Sequence, residues 1–427
     1  MLPNQRMRIK IQTWRKVKLD EGDGLSLIID HRGITPKKLG GSWDSVGIPA
    51  LSAKNIKNGQ IINKADIRYI SQKLYDKWMP KKLERGDIFL TSEAPLGELY
   101  FLNKKTDYCL SQRLFALRSN PDVLDPQYLY YYLKSSVGQH ELMRRISGTA
   151  AQGIRQAELR KVEITVPVNM QEQRRIVLTL SSFDDKIELN IKISKNLEQT
   201  AQAIFKEWFV KFKFPGHEKV KMVDSELGKI PEGWEAKKLP EVFDFLEGPG
   251  IRNWQYRLSG CPFINIRLIQ SNDIDIKSAS FISKEEANGK YKHFHLQERD
   301  MVVSTSGTLG RSAIVRKEHL PLLLNTSVIK FRPIDKQNYA FMYQFLNSAY
   351  FQNKILNMAS GSAQPNFGPV HLKQIEVLVP DKNILDKFSN IANPLYEKII
   401  AIMSENQKLT ALRDLLLPKL MSGGIRI

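Results

Sequence analysis

The rhythm of apolar and polar positions changes twice along this chain, in the same order each time. In the first stretch, short β-rich runs such as "DIFLTS" alternate with Gly, Pro and Asn turns, and "DPQYLYYYLKSSVGQHELMRRI" has helical spacing. This pattern stops at Val166-Pro167, and a long helical stripe follows. It then restarts with "MVVSTS" and "NYAFMYQFLNSAYFQNKIL", stops again at Val379-Pro380, and gives way to a second stripe. In that last stripe Leu395, Ile399, Ile402, Asn406, Leu409, Arg413, Leu416 and Leu420 fall at alternating steps of four and three, the spacing of a coiled-coil seam with two polar interruptions. The earlier stripe runs more loosely through Ile187, Ile191, Leu197, Ala201, Ile204 and Trp208. Each helix could pack on its own domain, but two long continuous stripes are buried most economically by pairing with each other.

The restart is a sequence repeat. "SGTAAQGIRQAELRKVEITVP" from Ser147 and "SGSAQPNFGPVHLKQIEVLVP" from Ser360 share a frame at an offset of 213 residues. The same offset links Gly47-Ile48-Pro49 to Gly260-Cys261-Pro262, Asp87 to Asp300, Leu96-Gly97 to Leu309-Gly310, and Leu159 to Leu372. Five regions follow: a globular domain over 1–167, a central helical region over 168–213, a linker over 214–232, a second globular domain over 233–380, and a C-terminal helical region over 381–427. The linker, with "FKFPGHEKVKMVDSELGKIPEGW" around it, is read as a connection outside any core. The expected fold class is α+β: two globular domains with pseudo-twofold symmetry, separated by two long helices forming an antiparallel coiled coil.

Composition narrows the class. No run approaches the roughly 18 to 20 apolar residues of a membrane helix, and "MLPNQRMRIKIQTW" lacks a signal peptide's apolar core, so a cytoplasmic protein is expected. Cys109 and Cys261 are too few for a disulfide framework and are read as buried thiols. Lys and Arg number 64 against 45 Asp and Glu, a formal charge of +19 spread along the chain. That excess points to a polyanion, most often nucleic acid.

Two like domains, each followed by a long helix, imitate a symmetric dimer whose reading heads meet two half-sites on a duplex. The loops differ: "GGSWDSVGIPALSAKNIKNGQI" in one head stands against "YRLSGCPFINIRLIQSNDI" in the other, so the heads are expected to read different sequences. Loop Arg, Lys, Asn and Gln side chains suit base edges and phosphates. The candidates are Lys37, Lys38, Lys54, Asn55, Lys57, Gln112 and Arg113 in the first head, and Arg252, Asn253, Arg257, Asn265, Arg267, Thr308, Arg311 and Asn325 in the second. Counting helix from Asp185 to Phe212 gives about 42 Å at ~1.5 Å per residue, or roughly 12 base pairs between half-site centres.

Catalytic readings are weaker. Asn393 to Tyr396, "NPLY", resembles the turn by which amino-methyltransferases hold a flipped base, but it starts a heptad helix, and no Gly-rich cofactor loop accompanies it. His293 and His295 lack a third metal ligand. Asp184-Asp185-Lys186 reads as an N-cap at a helix junction, and Ser306-Gly307-Thr308 as a turn.

The chain resembles the specificity (S) subunits of type I DNA restriction-modification systems. The resemblance rests on "LTSEAPLGELYFL" followed by "CLSQRLFALR", the repeated "VEITVP" frame, "MQEQRRIVLTLSSFDDKIELN", "LGKIPEGWEAKKL", "GPGIRNWQY" and "LRDLLLPKLMSGGI". It implies a non-catalytic, DNA-binding subunit with two target recognition domains that read an asymmetric, two-part sequence. It also implies double-stranded DNA, two methyltransferase (M) subunits and, in the full complex, restriction (R) subunits as partners. S-adenosylmethionine is then expected on the M subunits, with no cofactor or metal on this chain. A two-headed DNA-binding scaffold or regulator outside restriction-modification is the alternative.

Overall fold

The computed structural model describes residues 13–146, 152–270, 272–359 and 366–427. The Ser-Gly openings of the repeated frame, at Ser147 and Ser360, and the first twelve residues lie outside these. The chain forms two compact units: the residues up to 187 together with 408–427, and 188–407. Both unit boundaries fall inside long helices, Met170–Phe205 and Lys382–Met421.

In the first unit an antiparallel sheet has the strand order Leu25–Asp30, Leu114–Ser119, Ile88–Thr91, Leu99–Phe101. Its two central strands are covered on both faces, and successive residues point to opposite sides. Ile88, Leu90, Phe115 and Leu117 join a core with Tyr128, Leu129 and Ile164, while Phe89, Leu114 and Ala116 join another with Trp78 and Cys109. Trp14–Lys18 pairs with Glu163–Pro167, tying the start of the domain to its end. The Cys109 thiol is buried, which pushes its pKa up to about 12.

The expected helix over 125–146 is broken. Pro126–Lys134 and Ser136–Met143 meet at Ser135, whose hydroxyl donates to the Tyr132 carbonyl at 2.6 Å and accepts from the Gly138 amide. A Cβ on Gly138 would lie 2.1 Å from the Tyr132 carbonyl oxygen, so the close approach of these two helices requires glycine there.

The second unit repeats this plan. Its sheet runs Phe243–Glu247, Val328–Pro333, Met301–Ser304, Ser312–Ile314, and Glu235–Lys238 pairs with Glu376–Val379. Ser348 breaks the helical segment as Ser135 does, donating to the Phe345 carbonyl at 2.6 Å. The segment read as a linker does not stay outside the core. Phe214, Ile230 and Trp234 are buried in it, and Trp234 packs against Phe209, Phe212 and Phe214. Charge density hid these aromatics because every second or third residue around them is polar.

Asn169 caps the central helix through the Gln171 amide, and Asp381 caps the C-terminal helix through the Asn383 amide. Two expectations change with these starts. Asp184-Asp185-Lys186 lies mid-helix, not at a junction, and "NPLY" lies well inside the C-terminal helix, not at its beginning. The count of base pairs from Asp185 therefore loses its origin.

Within each unit the helices pair antiparallel. In the first, Leu180 shares a core with Leu417 and Leu420, and Arg413 is bonded to Asp184, which also accepts from the Tyr131 hydroxyl at 2.8 Å. Burial works against the Arg413 charge, but Asp184 outweighs it and holds the guanidinium pKa above its usual value. In the second, the Asn190 side-chain amide donates to Asn406 and Glu405 at 2.8 Å each, and Phe205 meets Phe388.

Burial refines the seam. Ile187, Leu197, Ile204, Leu395, Leu409 and Leu416 are half-buried, while Trp208, Ile399, Ile402 and Leu420 are buried. Ile191 is the exception at 51% exposed; the position inside the pair is Asn190, at 1%. Stepping back by four and three from Ala201 and Leu197 reaches Ser194, Asn190 and Ile187, so the heptad runs through polar residues that an apolar search skips.

Candidate nucleic-acid interface

The loops that carry the candidate side chains hang on a duplicated set of bonds. In the first unit Arg118 donates to both carboxylate oxygens of Asp87, at 2.8 and 2.9 Å; in the second Arg332 does the same to Asp300, at 2.6 and 2.8 Å. Asp87 and Asp300 are fully buried, and these hydrogen bonds raise each guanidinium's pKa. The Thr91 hydroxyl accepts from the Glu98 amide as the Ser304 hydroxyl accepts from the Arg311 amide. Gly47 and Gly260, at φ of 131° and 143°, start equivalent strands, and a Cβ on them would lie 2.4 and 2.0 Å from the carbonyl oxygens of Ile70 and Ile282. Only glycine allows that approach.

On this frame the first unit gathers three candidates. The Ala53 amide donates to the Gln112 carbonyl, which sets exposed Lys54 beside Gln112 and Arg113; Lys57, also exposed, follows on the short strand Ile56–Lys57. Arg113, at φ of 65°, pairs with Glu93 at 2.9 Å and keeps about half its side chain in solvent. Lys37 and Lys38 lie apart on the turn Pro36–Leu39, where the Lys38 ammonium folds back to the Gly33 carbonyl at 2.6 Å.

In the second unit Arg252, Asn253 and Arg257 are exposed on one loop, and Arg267 on a turn capped by the Asn265 side chain. Thr308 and Arg311 are exposed on the turn between two sheet strands, where Gly307 and Gly310 have positive φ.

Two candidates are buried instead of extending from their loops. Asn55 is 1% exposed, and its Oδ1 accepts from the backbone and hydroxyl of Ser52. Asn325 is 5% exposed, and its Oδ1 accepts from the Ile251 amide. Both amides are occupied in shaping the loops they were expected to extend from. A buried asparagine that satisfies backbone donors looks identical in sequence to one that reads a base.

Sequence reasoning also missed a stacked pair and an exposed ring. The Arg68 guanidinium lies over the Trp43 ring at 3.9 Å, and Trp254 is 73% exposed. The strand position of Arg68 and the tryptophans' place in rewritten loops were the available signals. His293 stacks on Phe294, and His295 bonds the Ala287 carbonyl; among the described residues no cluster of His, Cys, Asp or Glu is arranged to hold a metal. Among them, too, no helix is long and apolar enough to cross a membrane.

Comparison with known proteins places this frame. The profile of the type I restriction modification DNA specificity domain matches residues 13–199 and 231–410, one match for each half. The chain is 28% identical to the MjaIX specificity subunit of Methanocaldococcus jannaschii, covering 92% of this chain and 90% of that protein. It is 26% identical to the HindI specificity subunit of Haemophilus influenzae, over 81% and 88% respectively. The crystal structure of an S subunit from Mycoplasma genitalium shares the fold, with a TM-score of 0.55 and 20% identity, covering 98% of this chain and 99% of that one. The chain belongs to the type I restriction modification DNA specificity family.

Proposed function

We propose that this chain is the DNA-reading subunit of a type I restriction-modification complex, recognising an asymmetric two-part target and bringing methyltransferase and restriction subunits to it. The observation that carries this reading is the pairing of one duplicated bond frame with two unlike sets of exposed loops. A frame held by the same buried ion pairs can present different side chains without refolding, which is what a reader of two different half-sites needs.

The chain itself carries out no methyl transfer or cleavage in this reading, and S-adenosylmethionine is held by the M subunits. Two M subunits dock on the helices, where Leu178, Leu412 and Leu415 in the first unit and Leu189 and Ile191 in the second leave large apolar side chains in water. The R subunits join that assembly.

The test is methylome sequencing of a host carrying the whole system, with and without this gene. The expected result is a bipartite methylated motif that disappears with the gene. Methylation by the purified chain plus S-adenosylmethionine alone would overturn the non-catalytic assignment.

A further inference from the structure

Between Glu247 and Cys261 the second unit's loop has two cations, Arg252 and Arg257, and no acidic residue. It also carries Trp254, 73% exposed, and Leu258, wholly exposed. The other five tryptophans of the chain are buried or half-buried. Large apolar groups left in water and rimmed by polar residues mark contact sites.

This loop is held still. Gln255, 2% exposed, donates to Glu286 at 2.8 Å and to the Tyr291 hydroxyl at 3.0 Å, and it accepts from the Arg252 amide. Buried Ile251 is tied to Asn325, and Tyr256 packs on the Phe263 ring. The Arg257 amide bonds the Phe281 carbonyl, and its guanidinium donates to the carbonyls of Trp254 and Tyr256 at 3.0 Å each. Ile251, Gln255, Tyr256 and Arg257 each tie the loop down while Trp254 does not, and Leu258 follows directly. Trp43, in the corresponding loop of the first unit, is placed the opposite way: it is half-buried, 6.0 Å from Trp78 and covered by Arg68.

We infer that Trp254 and Leu258 form an apolar wedge that enters between stacked bases in the half-site read by the second unit, with Arg252 on a flanking phosphate. This rests on the DNA-reading function above and adds the manner of reading. A base step accepts an apolar wedge when unstacking is compensated by new contacts, and the surrounding positive charge supplies attraction to the duplex. The second half-site is deformed and the first is not, so base steps that unstack easily are favoured there.

The experiment uses the full chain assembled with its M subunits on a duplex bearing the motif recovered from the methylome. The fluorescent base 2-aminopurine is placed at each adenine in turn. Wild type is expected to brighten one step in the second half-site. W254A/L258S should lose that signal and bind about 10-fold or more weakly, with an unchanged salt slope and melting temperature. W254F should keep the signal.

A signal that survives in W254A/L258S belongs to base flipping by the M subunits and overturns the wedge. So does specific binding with no brightening in that half-site. Loss of M-subunit assembly by W254A/L258S, with DNA signals intact, makes the loop a protein contact and also overturns it. Absence of any specific binding by wild type would instead defeat the DNA-reading function itself.

Discussion

Asp87 and Asp300 stand at the same place in the two units and are clamped by an arginine in the same way. Asp44 and Arg257 also stand at the same place, each donating its amide to a neighbouring strand's carbonyl, Tyr69 or Phe281, at 2.9 Å. Yet those two carry opposite charge. The difference shows what duplication constrained and what it left free. The carboxylates are buried and also accept from the Glu84 and Gln297 amides, so a change there leaves backbone and arginine donors without a partner. At Asp44 and Arg257 the sheet uses only the backbone, so the side chain was open to change, and in Arg257 it ties down the loop through the Trp254 and Tyr256 carbonyls.

The largest effect should come from exchanging a whole unit. Replacing residues 14–167 by the corresponding domain of a relative should alter one half of the methylated motif completely and leave the other unchanged, as read by methylome sequencing. Change in both halves would break the view that each unit reads by itself.

Next comes the shared clamp. Arg118→Met or Arg332→Met leaves a buried carboxylate without its partner, at a cost of about 3 kcal/mol or more. Thermal unfolding should show similar losses for the two. A loss confined to one would mean that the frames are alike in geometry but not in energy.

Arg113→Ala and Arg311→Ala probe the rewritten positions. A contact to a base edge should cost ~1–3 kcal/mol at one base position, whereas a phosphate contact should weaken all sequences alike and lower the salt slope by about 1. Competition binding against single-base variants of the motif separates these outcomes.

The smallest effect is the acid sensitivity that Asp273 gives the second unit. There buried Arg316 donates to Asp273 at 2.8 and 3.0 Å and also bonds Ser404 and Gln407 on the C-terminal helix. The corresponding positions of the first unit are the neutral Gln60 and Asn103. Burial alone would raise the Asp273 pKa, but the His319 hydrogen bond and the Arg316 charge bring it below 3.8. A depressed carboxylate stabilises the fold above its unfolded pKa, and that contribution is lost as pH falls through the lower, folded value. Amide hydrogen exchange below about pH 4 should therefore show the second unit loosening, and D273N should abolish this pH dependence. Undiminished acid loosening in D273N would remove Asp273 as the cause.

Much of the architecture was legible in the chain because it depends on spacing. The repeat offset showed two domains, and the steps of four and three from Leu395 to Leu420 marked one seam. Asn190 shows where that method stops: the heptad points to it, but an asparagine looks like surface until Asn406 is seen opposite. The linker aromatics were hidden in the same way, since Phe214 and Trp234 find each other only after the backbone turns between them.

By itself the sequence determined the duplication, the alternation of sheet domain and helix, and the basic character of the surface, all properties that follow from local periodicity and composition. Only the tertiary structure decided which polar side chains face inward. Asn55 and Asn325 shape loops, Arg118 and Arg332 neutralise buried acids, Arg113 shares itself with Glu93, and Trp254 stays in water. The reason is physical: a polar group's role depends on whether a partner from a distant part of the chain reaches it within about 3 Å, and chain spacing carries no such distance.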